Sequence, residues 1–76
     1  MRTDYEIAKY LTENCNEKGY VDAVKFYNDL GINDFEFTKK GGYDRLVRIG
    51  FIAKESDMSR YIVGERAKEY YRSNTP

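Results

Sequence analysis

Apolar residues in the first part of the chain follow the spacing of an amphipathic helix. The stripe recurs at i, i+1, i+4 and i+8 and comprises Ile7, Ala8, Leu11 and Cys15. Thr3 and Glu6 precede it at the spacing of a capping box, in which each side chain binds the backbone N–H of the other residue. The pattern predicts a first helix over residues 4–17, ended by the stretch that leads to Gly19.

A second apolar stripe follows after a short extended segment at residues 20–21. Asp22 is a favourable N-cap, and Val21 and Phe26 are spaced for a hydrophobic staple. The stripe comprises Ala23, Phe26, Tyr27 and Leu30, and Gly31 follows it. We therefore predict one short strand and a second helix over about residues 22–30.

The middle of the chain supports two alternative predictions for a third helix. Asn33 and Glu36 are placed for a capping box, which favours a helix start near residue 34. A continuous helix from there would bury Lys39 and leave Phe37 in water. That conflict favours a shorter helix over about residues 38–49, with Phe35 and Phe37 in a connector.

After Gly50 the period of the pattern changes from helical to alternating, which is typical of strands. Residues 51–55 alternate, residues 56–59 are rich in turn formers, and residues 60–63 resume a strand-like composition. The pattern predicts a β-hairpin over about residues 51–63 with a loop of about four or five residues. Helix formers over residues 65–72 predict a short closing helix with a frayed tail.

These elements predict an α+β fold that is mostly α with one β-hairpin. The chain has 76 residues, of which 41% are hydrophobic and 16% aromatic, and this is enough to form a core. We expect a single domain over residues 1–76 at this length. The longest apolar runs are two or three residues, so no membrane-spanning segment is expected.

The composition excludes several kinds of catalytic and metal site. Histidine is absent and Cys15 is the single cysteine, so neither a Ser/His or Cys/His pair nor a cysteine-based zinc site can form. We predict no catalytic residue, no metal, no cofactor, no small-molecule ligand and no enzymatic activity. The cysteine content and the lack of an apolar leader favour a cytoplasmic protein.

Two segments carry a resemblance to a known superfamily. Residues 46–52, LVRIGFI, are typical of a helix that passes through a glycine turn into a strand. Residues 61–71, YIVGERAKEYY, are typical of a strand followed by a helix. In this order and at this length the chain resembles the winged helix-turn-helix superfamily.

The resemblance implies both an architecture and an activity. The architecture has a three-helix core, a short strand, a two-stranded wing and a short C-terminal helix. The activity is binding to duplex DNA. The helix at residues 38–49 would enter the major groove, and the wing at residues 51–63 would follow the backbone or the minor groove.

Charge is distributed unevenly, although the 13 basic and 13 acidic residues cancel overall. Residues 1–37 carry four basic and eight acidic residues, whereas residues 38–76 carry nine basic and five acidic ones. Residues 38–62, called here the basic segment, have a net charge of +3. Such an asymmetry favours contact with a polyanion.

The candidate DNA contacts lie in the basic segment. With Leu46 at the buried centre of the third helix, helical geometry leaves Arg45 at the edge of the outward side. The residues turned outward are Lys40, Gly41, Asp44, Val47 and Arg48. Arginine can bind guanine edges, and lysine and threonine suit phosphates. The predicted contacts are Thr38, Lys39, Lys40, Tyr43, Asp44, Arg45, Arg48, Lys54 and Arg60.

A structural role is the alternative for several of these residues. Arg45 and Arg48 can form surface ion pairs with Asp44 or with the acidic half. The wing charges can protect an edge strand from aggregation, and Tyr43 can belong to the core. The adjacent glycines at 41 and 42 allow either tight packing or close approach to a DNA backbone.

We predict a DNA-binding transcriptional regulator of prokaryotic, archaeal or phage type that binds double-stranded DNA as a homodimer. Dimerisation would double the phosphate contacts made by a modest patch of charge. The alternative is a winged-helix protein-interaction module, such as an adaptor or a phage-type inhibitor, that does not bind DNA. A net charge of zero and an acidic first half favour that alternative.

Overall fold

Five helices and a three-stranded antiparallel sheet form the α+β fold of residues 2–76, the part of the chain that a computed structural model describes. The helices are α1 (Asp4–Asn14), α2 (Ala23–Leu30), α3 (Asp34–Lys39), α4 (Gly42–Arg48) and α5 (Glu65–Asn74). The strands are β1 (Tyr20–Asp22), β2 (Ile52–Ala53) and β3 (Arg60–Val63). No helix among the described residues is long and apolar enough to cross a membrane.

The sheet ties the hairpin to the first half of the chain. Its strand order is β1-β3-β2, so the short strand between the first two helices pairs with the second strand of the hairpin. Val21 lies opposite Tyr61, and Ile52 lies opposite Val63. The hairpin is therefore held at its base, while its connection, residues 54–59, extends beyond the sheet and is called here the hairpin loop.

The predicted caps of the first two helices are confirmed. The N–H of Glu6 donates to the Thr3 hydroxyl and the N–H of Thr3 donates to the Glu6 carboxylate, both at 3.1 Å. The Asp22 carboxylate accepts from the N–H groups of Val24 and Lys25 at 2.8 and 3.2 Å. Side-chain oxygens thus bind N–H groups that have no partner within the helix.

Helix α1 is shorter than predicted, because it ends at Asn14 and not at residue 17. The side-chain oxygen of Asn16 accepts hydrogen bonds from the N–H groups of Lys18 and Tyr20, both at 2.9 Å. An asparagine that binds the backbone ahead of it stabilises a turn in competition with the helix. This local turn explains the earlier end.

The third predicted helix is two helices, so a single helix over residues 38–49 is wrong. The first of them, α3, begins at the Asn33 cap, whose side chain accepts from the N–H of Glu36 at 2.9 Å. Gly41 then adopts a left-handed conformation with φ of 81°, which glycine tolerates and which interrupts the helix. The start near residue 34 is therefore confirmed, although the helix does not continue through the glycines.

A continuous helix would bury Lys39 and expose Phe37, and the interruption at Gly41 removes this conflict. Phe35 and Phe37 both lie in α3, so their predicted place in a connector is wrong. Because α3 and α4 are separate helices, the buried side of α3 need not continue that of α4. Phe37 packs against the aromatic core, while Phe35 remains 70% exposed. Gly42 packs tightly on the Phe37 ring, where an added Cβ would lie 2.5–2.7 Å from three ring carbons.

The core is apolar and lies between α1, α2, α4, α5 and the sheet. Its largest fully buried side chains are Tyr61, Phe26, Leu11, Leu46, Ile52 and Val21. Among the five described helices, α3 alone contributes no fully buried side chain. The α3 helix is therefore the least anchored of the helices.

The hairpin and the closing helix differ from the prediction only at their ends. The connection between β2 and β3 spans residues 54–59, one residue longer than the longest predicted loop. Helix α5 continues to Asn74, because the side chains of Asn74 and Thr75 donate to backbone carbonyls one turn earlier, at 2.8 and 2.6 Å. Of the predicted tail at residues 73–76, residues 73–74 are thus helical and residues 75–76 lie beyond the helix.

Candidate nucleic-acid interface

Helix α4 presents one apolar and one polar side, largely as its sequence predicts. Tyr43 and Leu46 are buried, whereas Asp44, Arg45 and Arg48 are exposed. Val47, which helical geometry turns outward, is half-buried against the core. The α4 helix therefore carries two exposed guanidinium groups that project from a firmly packed base.

Arg45 is bound by a carboxylate of the same molecule. Its Nη1 and Nη2 donate to the two Asp4 carboxylate oxygens at 2.9 and 2.7 Å, a bidentate arrangement. Asp4 lies in the first turn of α1, so the pair joins the N-terminal helix to α4. Hydrogen bonding to Arg45 lowers the pKa of Asp4, and hydrogen bonding to Asp4 raises the pKa of Arg45. The structural alternative, an ion pair with the acidic half, is confirmed for Arg45.

Arg60 is likewise engaged at the base of the hairpin loop. Its guanidinium lies 3.2 Å from the Glu55 carboxylate and 3.9 Å from the Asp57 carboxylate. The guanidinium carbon also lies 4.3 Å from the centre of the Tyr20 ring, a cation–π distance. These contacts stabilise the loop against β1 and engage the guanidinium within the molecule.

Tyr43 connects α4 to the hairpin loop and belongs to the core. Its side chain is 8% exposed. Its hydroxyl accepts from the N–H of Glu55 at 3.2 Å and donates to the Glu55 carbonyl at 3.5 Å. Tyr43 therefore positions the loop relative to α4.

The remaining predicted contacts fall into a paired and an unpaired group. Lys40 forms an ion pair with Glu36 at 3.4 Å, one helical turn earlier. Arg48, Lys54 and Lys39 are exposed and form no ion pair with the described residues, although the Lys39 ammonium lies 5.9 Å from the Phe35 ring centre. Thr38 is also exposed. Among the predicted contacts, the cations open to an outside anion are thus Arg48, Lys54 and Lys39.

The sequence reasoning missed the partners that neutralise the basic segment. The acidic half was considered as a partner of Arg45, but nothing in the sequence singles out Asp4, which lies 41 positions earlier. Two exposed apolar side chains, Phe35 at 70% and Met58 at 51%, were also missed as surface features. The Asn33 cap could have placed Phe35 in a helix, but only the tertiary fold decides which side of that helix is buried.

Comparison with known proteins gives no assignment, because no family model, no curated protein and no solved structure matches the chain. The chemistry of this surface therefore follows from its own side chains. Those side chains are an acidic helix start, two engaged arginines and three open cations, and α4 leads directly into a hairpin that is held at its base.

The lowered pKa values predict a loss of stability in acid. Asp4, Glu55 and Asp57 all have their pKa lowered, chiefly by hydrogen bonds from Arg45, Asp57 N–H and Ser59 respectively. A carboxyl whose pKa is lower in the folded state stabilises the fold above its ordinary pKa, which is 3.8 for Asp4. That stabilisation is lost as the pH falls through the lower folded value.

Urea unfolding followed by circular dichroism at a series of pH values tests this expectation. The free energy of unfolding should fall as the pH drops below 4, and Asp4→Asn should reduce the dependence. Asp44→Asn is a matched control, since Asp44 is exposed and forms no ion pair with the described residues. An identical acid dependence in the wild type and Asp4→Asn would contradict the assigned role of the pair.

Proposed function

We propose that the chain is a winged-helix domain that binds double-stranded DNA and regulates transcription. The observation that carries the proposal is the connection of the elements: three successive helices after β1 lead into a hairpin whose second strand pairs with β1. In this proposal α3 and α4 together form the recognition element and the hairpin is the wing. The interruption at Gly41 divides the recognition element into two short helices.

The proposed DNA contacts follow from which cations are open. Arg48, at the end of α4, can bind a guanine edge or a phosphate in the major groove. Lys54, in the hairpin loop, and Lys39, at the end of α3, suit phosphates on either side. Arg60 stabilises the wing in this proposal, because its guanidinium is engaged by Glu55 and Tyr20.

We also propose that the domain binds DNA as a homodimer, since one copy offers only three open cations among the predicted contacts. Tyr71 packs within the chain, with its ring 5.8 Å from that of Tyr5 and its hydroxyl donating to Glu13 at 2.6 Å. Tyr70 is 37% exposed, and its ring centre lies 5.5 Å from that of Phe51. Of these two tyrosines, Tyr70 is thus the better candidate for a dimer interface. The proposed dimer and its DNA are both in the cytoplasm.

Two substitutions test the proposed contacts on a duplex selected from a random library. Arg48→Ala should weaken binding to the selected site by about 1–3 kcal/mol and relax specificity at one position. Lys54→Ala should weaken binding to all duplexes alike and reduce the salt slope by about 1. Fluorescence anisotropy at several salt concentrations measures both effects.

The control variants remove one arginine and one lysine that lie outside the proposed DNA contacts. Arg72→Ala in α5 matches Arg48→Ala, and Lys9→Ala in α1 matches Lys54→Ala, since both control residues are exposed. The controls should bind like the wild type. If all four variants bind the selected duplex with one affinity, the proposed faces are wrong.

A protein-interaction module is the second candidate, and the surface of α3 favours it. Phe35 is 70% exposed, and an apolar ring that projects from the surface suits contact with another protein better than contact with the phosphates of DNA. The same helix also carries the acidic residues Asp34 and Glu36, which DNA would repel. Pull-down at high salt, combined with the absence of any duplex binding, would favour this candidate over DNA binding. Loss of the captured protein in Phe35→Ala would then place the contact on α3.

A further inference from the structure

Three ion pairs surround one cleft between the start of α1 and the α3–α4 region. The cleft has a volume of about 720 Å³. Its walls include three basic residues, Arg2, Lys40 and Arg45. Each is held by an acidic neighbour that also lines the cleft: Glu6 at 2.8 Å, Glu36 at 3.4 Å and Asp4 at 2.7 Å, in the same order. The positive charge on this side of α4 is thus cancelled from within the molecule.

The Asp4–Arg45 pair differs from the other two in geometry. The other two pairs each join residues four positions apart in the sequence, whereas Asp4 and Arg45 belong to two different helices. Its bidentate contact presents two carboxylate oxygens to the guanidinium, as a phosphate would. The side chains remain 34% and 44% exposed, so a phosphate can reach the same guanidinium from solvent.

We propose that Asp4 competes with a DNA phosphate for the guanidinium of Arg45. This inference rests on the proposed function. In the free protein Asp4 occupies the guanidinium, and on a duplex a phosphate takes its place. Each duplex contact at Arg45 therefore carries the cost of releasing Asp4. The competition keeps the affinity for DNA of arbitrary sequence low, because only a site with enough further contacts offsets that cost.

The competition predicts that removing the Asp4 charge strengthens DNA binding. Asp4→Asn should raise the affinity for a fluorescent duplex of mixed sequence by about fivefold or more, the lower end of typical coupling between two sites. Any lost negative charge raises affinity somewhat, so Asp44→Asn on the same side of α4 serves as the charge-matched control. Asp4→Asn should exceed that control.

A double-mutant cycle identifies Arg45 as the group through which Asp4 acts. In the Arg45→Ala background, Asp4→Asn should have no more effect than Asp44→Asn has there. An equal gain from Asp4→Asn with and without Arg45 would overturn the proposal. Circular dichroism of each variant ensures that the compared proteins are folded.

A measurement on the wild type keeps the test independent of folding. The ¹³C shift of the Asp4 carboxyl, measured at neutral pH, responds to the hydrogen bonds that this carboxylate accepts from Arg45 in the free protein. Adding the duplex should move the shift toward its value in the Arg45→Ala variant as the phosphate displaces Asp4. An unchanged shift in a wild-type complex would overturn the competition while leaving DNA binding intact. A wild type that binds no duplex at any salt concentration would instead overturn the proposed function itself.

Discussion

Replacing Phe26 with alanine is expected to destabilise the fold by about 3–5 kcal/mol, the usual cost of deleting a large buried aromatic side chain. Phe26 is fully buried in α2, and its ring lies 5.2–6.3 Å from four other aromatic rings. Those rings belong to Tyr10, Tyr27, Phe37 and Tyr61. The substitution would therefore remove the centre of the aromatic cluster and leave a cavity.

The size of this loss should be visible in urea unfolding, because small domains have only about 0.05–0.15 kcal/mol of stability per residue. Phe35→Ala makes the same chemical change on α3, where the ring is 70% exposed, and should cost little. Equal losses in the two variants would contradict the assignment of Phe26 to the core and of Phe35 to the surface.

Replacing Gly64 with alanine is the second large effect, expected at about 3 kcal/mol or more. Gly64 follows β3 and caps α5, and its N–H donates to the Phe51 carbonyl at 2.8 Å. An added Cβ would overlap the carbonyl oxygen of Gly50, a backbone atom that cannot rotate away. Overpacking costs typically 1–3 kcal/mol, and a clash with backbone belongs at or above the top of that range. Thermal unfolding measures the loss.

Gly19→Ala separates this steric cost from a conformational one. Gly19 has a positive φ of 81° and nothing within 4 Å of an added Cβ. Alanine there should cost only about 1–2 kcal/mol, the penalty of the left-handed conformation. If Gly19→Ala proves the more damaging variant, the close approach of the Gly64 and Gly50 backbones is wrong.

The sequence predicted those elements whose boundaries depend on neighbouring residues. The Thr3–Glu6 capping box and the Asp22 cap act within one turn, so spacing alone identifies them. The hairpin and the closing helix were predicted for the same reason. The end of α1 was missed because the Asn16 side chain competes with the helix for backbone N–H groups.

The division of the third helix needed information that spacing lacks. The sequence showed two adjacent glycines, but not that Gly41 adopts a left-handed conformation while Gly42 packs on Phe37. The predicted outward side of α4 holds for Asp44, Arg45 and Arg48. What the sequence could not show is that Arg45 binds Asp4 and that Arg60 lies on the Tyr20 ring, because these pairs become neighbours only through the tertiary fold.

Whether the domain binds double-stranded DNA through its open cations is best decided by the salt dependence of its affinity for a duplex. Binding through Arg48, Lys54 and Lys39 releases counterions from DNA, so the logarithm of the affinity should fall linearly with the logarithm of salt concentration. We expect a slope of about −0.9 for each phosphate neutralised, with a steep loss between about 50 and 200 mM salt. A flat dependence, or no binding to any duplex at the lowest salt, would show that the proposed DNA-binding function is wrong.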